Sequence, residues 1–162
     1  MTMKLAIYPG TFDPVTNGHL DIVERAAMLF DQVVVAVTTN SAKNPMFSVA
    51  ERLEMFREVT QHFSNVRVES FSGLLVEYAA GRGASVLIRG LRAISDFEYE
   101  SQMALINRKI SHGMDTVFLT ANEKYTYLNS TIVKEVARFG GDVTCFVPAA
   151  VNERIRQKLA QT

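Results

Sequence analysis

The chain has 162 residues, 48% of them hydrophobic, which is enough for one domain with a substantial core and too few for two ordinary ones, so a single domain over 1–162 is expected. Its 17 basic side chains balance 17 acidic ones, which removes any global electrostatic reason to bind nucleic acid or an anionic membrane surface, so any anion site has to be local. The single cysteine, Cys145, excludes an intrachain disulfide framework.

The opening residues run into a strand-like segment rather than a signal-peptide core. Apolar stretches fall far short of the roughly 20 residues that span a bilayer, so the expected setting is the cytoplasm.

From the N-terminus, Leu5-Ala6-Ile7-Tyr8 is the first strand-like run. Leu20, Val23, Ala27 and Phe30 then recur at three- and four-residue spacing and predict a helix with one buried stripe. Val33 to Val37 is apolar throughout, as in a strand covered on both faces. Ser48-Val49-Ala50-Glu51 has the form of a capping box, and Leu53, Phe56, Val59 and Phe63 share one face of the helix it opens. Strands are predicted at Val66–Val68, Val86–Ile88 and Val117–Leu119, with helices at Leu74–Ala80 and Asp96–Ile110 between them. A further helix from Ser130 to Phe139 should stop at Gly140-Gly141, and a last one, about Ala149 to Leu159, follows Pro148.

This alternation predicts an α/β fold: a doubly wound, mostly parallel five-stranded sheet with helices on both faces, Rossmann-like in plan. Ligands of such sheets sit at the carboxyl ends of the strands where strand order reverses, so the loops after Tyr8, Val37, Ile88 and Leu119 should converge.

The first of these loops reads Tyr8-Pro9-Gly10-Thr11-Phe12-Asp13-Pro14-Val15-Thr16-Asn17-Gly18-His19. Gly10 and Gly18 allow backbone to approach a ligand, and His19 stands in a first helical turn, where free N–H groups favour anions. The same residues also suit an ordinary turn capped by Thr16 or Asn17, with a surface histidine. Lys43 reads as an ammonium for an anion or as a solvated loop lysine. Arg89 and Arg92 flank Gly90-Leu91 in a loop expected to face the cleft, where guanidinium forks suit phosphate. Glu100, on composition alone, reads as a solvated helical glutamate.

Tyr125-Thr126-Tyr127-Leu128-Asn129-Ser130-Thr131 leads into a helix, and its small polar residues can cap that helix or bind phosphate. Lys134, one turn further, reaches the same phosphates or pairs with a nearby acid, and it has no assigned role. His19, His62 and His112 lack zinc-ligand spacing, so no metal site built from protein side chains is expected. His62 and His112 read as surface residues.

Thr16-Asn17-Gly18-His19 resembles the Thr/His-x-Gly-His signature of the nucleotidyltransferase superfamily. Tyr8 to Pro14, Lys43-Asn44-Pro45-Met46-Phe47, Ile88 to Arg92, Asp96-Phe97-Glu98-Tyr99-Glu100 and Ser130 to Glu135 are similar to the phosphopantetheine adenylyltransferase family, in order along essentially the whole chain. The resemblance implies transfer of AMP from ATP to 4'-phosphopantetheine. It makes His19 the donor to the α-phosphate in the transition state, with Lys43 and Arg92 in the same catalytic set.

It assigns Thr11, Lys43, Leu75 and Arg89 to phosphopantetheine. To ATP it assigns Thr11, Phe12, His19, Gly90, Leu91, Arg92, Glu100 and the run Tyr125, Thr126, Tyr127, Leu128, Asn129, Ser130, Thr131. Magnesium accompanying ATP, feedback by coenzyme A and a homohexamer built as a trimer of dimers are further implications. One departure stands out: where the family has Ile-Ser-Ser-Ser, this chain has Leu128-Asn129-Ser130-Thr131, which puts the contact at Asn129 in question. A nucleotidyltransferase using another acceptor, such as nicotinamide mononucleotide, or CTP as donor, and a non-catalytic nucleotide sensor are the rival readings.

Overall fold

Side-chain alternation along the strands decides which layer each helix covers. The computed structural model describes residues 3–40, 44–92, 94–111 and 113–161. Lys43 and His112 therefore lie outside the described residues. Strands β1 (Leu5–Gly10), β2 (Gln32–Thr38), β3 (Val66–Phe71), β4 (Val86–Leu91) and β5 (Asp115–Thr120) form a parallel sheet in the order β3-β2-β1-β4-β5. The helices among the described residues are α1 (Asn17–Leu29), α2 (Val49–Thr60), α3 (Leu75–Gly81), α4 (Ile94–Ser111), α5 (Ser130–Arg138) and α6 (Ala149–Ala160), with a 3₁₀ turn at Glu123–Tyr125.

Ala6, Tyr8, Val33, Val35, Val37 and Ile88 face one layer, packed with residues of α1, α2, α5 and α6. Their neighbours Ile7, Val34, Ala36 and Leu87 face the other, where Val76 and Ala79 of α3 cover them. Helix α4 packs beside α3 against β4 and β5. The doubly wound reading of the sequence is the observed architecture.

Strand order reverses between β1 and β4, and here the sheet parts. β1 pairs with β2 from Leu5↔Gln32 to Gly10↔Val37, whereas it meets β4 only at Ala6↔Val86 and Ile7↔Leu87. Beyond Leu87 the two strands diverge while β4 keeps its pairing with β5 to Leu91↔Thr120. The resulting crevice is the geometry that parallel sheets offer to ligands.

Local chemistry explains the helix ends. Ser48 and Glu51 form the expected capping box: Ser48 Oγ accepts from the Glu51 N–H at 3.2 Å, and Glu51 Oε2 accepts from the Ser48 N–H at 2.7 Å. At the end of α5, Gly140 takes φ 77°. Its N–H donates to Ala137 O at 3.0 Å and that of Gly141 to Val136 O at 2.9 Å. This is a Schellman closure, which needs a left-handed residue where glycine stands.

Three expectations need correction. The buried face of α1 is Ile22, Val23 and Ala26, with Leu20 and Phe30 at its margin. The deepest face of α2 is Arg52, Met55, Phe56 and Thr60, with Leu53, Val59 and Phe63 only partly buried. β4 runs on through Arg89, Gly90 and Leu91, so Arg89 is a strand residue and only Arg92 lies in the loop. Hydrogen bonds to β5 hold the strand past the last apolar residue, a tertiary effect that composition does not record.

Candidate active site

The first loop is built around a left-handed residue. Phe12 has φ 51°, a conformation costing an L-residue about 1–2 kcal/mol. Its ring, 3% exposed, lies beneath Gly10, where an added Cβ would sit 2.6 Å from it. Gly10 thus makes room for the Phe12 ring, a use the sequence reading did not foresee. The ring meets Tyr8, His19 and Phe56 edge to face at 5.2, 5.0 and 4.7 Å.

Thr16 caps α1: its Oγ1 accepts the His19 N–H at 3.3 Å, while Nδ1 of His19 accepts the Thr16 N–H at 3.0 Å. The imidazole occupies the place that Glu or Gln takes in an ordinary capping box. With Nδ1 accepting a backbone N–H, the proton of the neutral ring belongs on Nε2. Burial, and then the positive fields of Arg92 and Arg89, push the imidazole pKa down to about 3. At neutral pH His19 is an uncharged N–H donor. Asn17 N–H donates to Phe146 O at 2.9 Å, so the first turn of α1 is partly committed within the chain and the expectation of free N–H groups there holds only in part.

On β4, Arg89 donates from Nε and Nη2 to the two oxygens of Glu100 at 2.7 and 2.6 Å, and from Nη1 to Pro9 O at 3.1 Å. The last bond bridges the gap between β1 and β4. Burial works against the guanidinium charge, but hydrogen bonding and attraction to Glu100 outweigh it and hold the pKa above its ordinary value. Glu100 is 9% exposed, so the solvated glutamate suggested by composition is instead an ion-pair partner.

Arg92 donates from its backbone N–H and Nε to Asp96 Oδ2, both at 3.2 Å, and from Nη1 to Leu128 O at 3.2 Å. It ties the end of β4 to the segment before α5. Asn129 caps that helix, its Oδ1 accepting from the Ile132 N–H at 2.9 Å, and Ser130 Oγ donates to Pro14 O at 2.7 Å. Beneath the first loop the buried carboxylate of Asp13 accepts from the N–H groups of Met46 and Phe47 at 3.0 and 2.9 Å and from Lys134 Nζ at 2.8 Å. Of the two destinations open to Lys134, the acid is the one seen.

These residues surround a cleft of about 420 Å³. It brings together Thr11, Phe12, His19, Arg89, Gly90, Arg92, Glu100, Tyr125, Leu128, Asn129, Ser130 and Thr131 from the sequence reading. Leu91, Thr126 and Tyr127 do not line it; the Thr126 hydroxyl donates to Glu123 O, and Tyr127 is largely exposed. Leu75 lies in an adjoining cavity of about 210 Å³ that shares Arg89 and Glu100 with the cleft. Asn44 and Pro45 represent the loop that carries Lys43.

Sequence reasoning gave no role to Tyr8, Asp13 or Asp96, which also line the cleft. Burial raises the Tyr8 phenol well above its ordinary pKa, so it stays protonated. Asp13 and Asp96 sat inside the quoted strings; for Asp96 the nearby Arg89 and Arg92 were the available signal, and for Asp13 there was none.

A crevice at the β1/β4 switch point, a Thr-x-Gly-His turn presenting a neutral imidazole, and paired arginines beside it define a nucleotidyltransferase. The cytidylyltransferase-like family model matches residues 7–136. A curated relative from Alkaliphilus metalliredigens (strain QYMF), named phosphopantetheine adenylyltransferase, is 54% identical over 156 residues, 96% of this chain and 99% of that protein. One of the same name from Caldanaerobacter subterraneus subsp. tengcongensis is 54% identical over 160 residues, covering 99% and 100%. A solved structure described as a candidate nicotinate-nucleotide adenylyltransferase from Vibrio parahaemolyticus superposes with TM-score 0.70 at 17% identity, over 95% of this chain and 99% of that one, which bears on fold alone. Within the cytidylyltransferase-like proteins, this chain belongs to the phosphopantetheine adenylyltransferase family.

Proposed function

We propose that this chain, acting as one nucleotidyltransferase domain over 1–162, transfers AMP from ATP to the phosphate of 4'-phosphopantetheine, yielding dephospho-coenzyme A and pyrophosphate. An acceptor phosphate oxygen attacks the α-phosphorus, and the bond from that phosphorus to the pyrophosphate oxygen breaks. The observation that carries the reading is the His19 ring, which spends Nδ1 on the Thr16 N–H and so keeps Nε2–H as a donor in a cleft shared with Arg89 and Arg92. A phosphate monoester is already an adequate nucleophile near neutral pH, so orientation and charge stabilisation suffice without a general base.

In this reading His19 Nε2–H donates to the α-phosphate as charge builds on it, and Thr11 contacts both substrates. Lys43 and Arg89 hold the acceptor phosphate, with the pantetheine arm passing toward Leu75. Phe12, Gly90, Leu91, Arg92, Glu100 and the stretch Tyr125 to Thr131 hold ATP. Magnesium would enter with ATP as part of that substrate and would offset the charge of its phosphates. The cleft carboxylates Asp13, Asp96 and Glu100 each accept hydrogen bonds from a cation of the chain.

Coenzyme A carries both halves of the product and so suits the same cleft as a feedback ligand. Helix α4 exposes Phe97, Tyr99, Leu105, Ile106 and Ile110, apolar surface that supports assembly into the homohexamer, a trimer of dimers. A cytoplasmic setting, where ATP and the acceptor are found, completes the proposal. No helix among the described residues is long and apolar enough to cross a membrane.

The decisive experiment is turnover of purified protein with ATP, magnesium and a panel of phosphate acceptors. Dephospho-coenzyme A is the expected product, and turnover of nicotinamide mononucleotide or of CTP in its place would overturn the substrate assignment. Titration with coenzyme A and sedimentation at micromolar concentration check the other two elements. No competition, or a strict monomer, counts against them.

A further inference from the structure

Arg52 sits in the first turn of α2 with 0% exposure, the bulkiest of the fully buried side chains among the described residues. Its Nη1 donates to Thr11 O at 2.7 Å and to Thr38 O at 3.2 Å, and its Nε donates to Phe47 O at 3.2 Å. Nη2 is buried with no partner among the described residues. The three carbonyls belong to the first loop, the end of β2 and the turn into α2. Burial works to lower the guanidinium pKa while the charge of Asp13 works to raise it, and the balance falls below the ordinary value. A cation with an unsatisfied N–H group is a poor choice for core packing alone, since an apolar side chain of similar volume fills such a site at less cost.

The shortest of these bonds falls on the carbonyl just before Phe12, the residue with φ 51°. Just after Phe12, the Asp13 carboxylate is tied to the N–H groups of Met46 and Phe47. The strained residue is thereby fixed from both flanks, the condition under which such conformations persist. Its ring is clamped between Phe56 of α2 and the imidazole of His19. Within the described contacts, Arg52 reaches His19 only through Phe12.

We propose that Arg52 is a positioning residue for His19: by holding the Thr11–Phe12 peptide it keeps the Phe12 ring against the imidazole and so fixes where Nε2–H points. This rests on the reading of His19 as donor to the transferred phosphate. Lysine in place of Arg52 keeps the charge but lacks the planar fork needed to serve three carbonyls.

The test is a double-mutant cycle of Arg52→Lys and His19→Ala, read as steady-state kcat and KM with magnesium-ATP and 4'-phosphopantetheine. Arg52→Lys is expected to lower kcat about 10- to 100-fold with both KM values nearly unchanged. In the His19→Ala background the same substitution should change kcat less than about twofold, because the group it acts through is gone. Additive losses, or a near-normal kcat for Arg52→Lys, overturn the proposal while the role of His19 stands. A normal kcat for His19→Ala overturns that role and this proposal together.

Should Arg52→Lys not fold, Phe12→Leu carries the same cycle with Arg52 in place. Leucine keeps the bulk and loses the edge-to-face contact. Non-additivity with His19→Ala is again expected, and additivity overturns the proposal.

Discussion

Arg89 and Glu100 meet as a two-pronged pair, two guanidinium N–H groups against two carboxylate oxygens at 2.7 and 2.6 Å. A fork already occupied on that edge presents its remaining N–H groups in one fixed direction, so Glu100 aims Arg89. Glu100→Gln should cost about 1–3 kcal/mol of stability, visible as a lower Tm, and should raise the acceptor KM. An unchanged acceptor KM would show that the aim is set elsewhere.

Arg89→Ala should raise the KM for 4'-phosphopantetheine far more than that for ATP. Arg89 lines both the cleft and the adjoining cavity that holds Leu75, to which the proposal gives the acceptor. Equal effects on the two substrates contradict the assignment.

His19→Ala should lower kcat by roughly 10²-fold or more, as loss of an oxyanion donor does. Thr16 Oγ1 still caps the backbone of α1, so the circular dichroism spectrum should be retained. A kcat near that of the native chain refutes the role.

Neutrality of His19 has its own signature. Its pKa in the folded chain, about 3, lies below the ordinary value of 6.5. In that window the unfolded chain binds the extra proton. Stability from this residue is therefore constant above pH 6.5 and declines as pH falls from there toward 3. A ¹⁵N-histidine titration should find the ring as the Nε2–H tautomer and uncharged at pH 5.5; a midpoint near 6.5 is the contrary result.

Gly140→Ala should destabilise the chain by about 1–2 kcal/mol with kcat unaltered, because φ 77° disfavours any Cβ and the residue lies outside the cleft. Thermal denaturation beside the standard assay checks both halves of that statement.

Much of this architecture was legible because it is local. The Ser48/Glu51 box, the Gly140-Gly141 stop and the apolar runs of β1, β2 and β4 each carry their signal within a few residues. Faces were less legible. Arg52 lies on the deepest face of α2, and periodicity discounts an arginine because two of its three carbonyl partners, Thr11 and Thr38, lie outside the helix and the turn that leads into it.

The site was read through strings rather than shapes. That placed His19, Arg89 and Arg92 in one cleft but missed a second use of Gly10, whose missing Cβ makes room for a ring two residues away. It offered an acid as one destination for Lys134 but could not name Asp13, which lies 121 positions away in sequence. No local pattern encodes that distance.

The brief seam between β1 and β4 leaves the two halves of the sheet paired to each other at Ala6, Ile7, Val86 and Leu87 alone among the described residues. Past that seam, side chains take over from the backbone ladder: Arg89 to Pro9 O, Arg25 to Thr120 O and the Asn122 N–H to Asp21 fasten one half to the other. Any widening of the crevice would therefore be resisted by these side-chain bonds rather than by strand pairing.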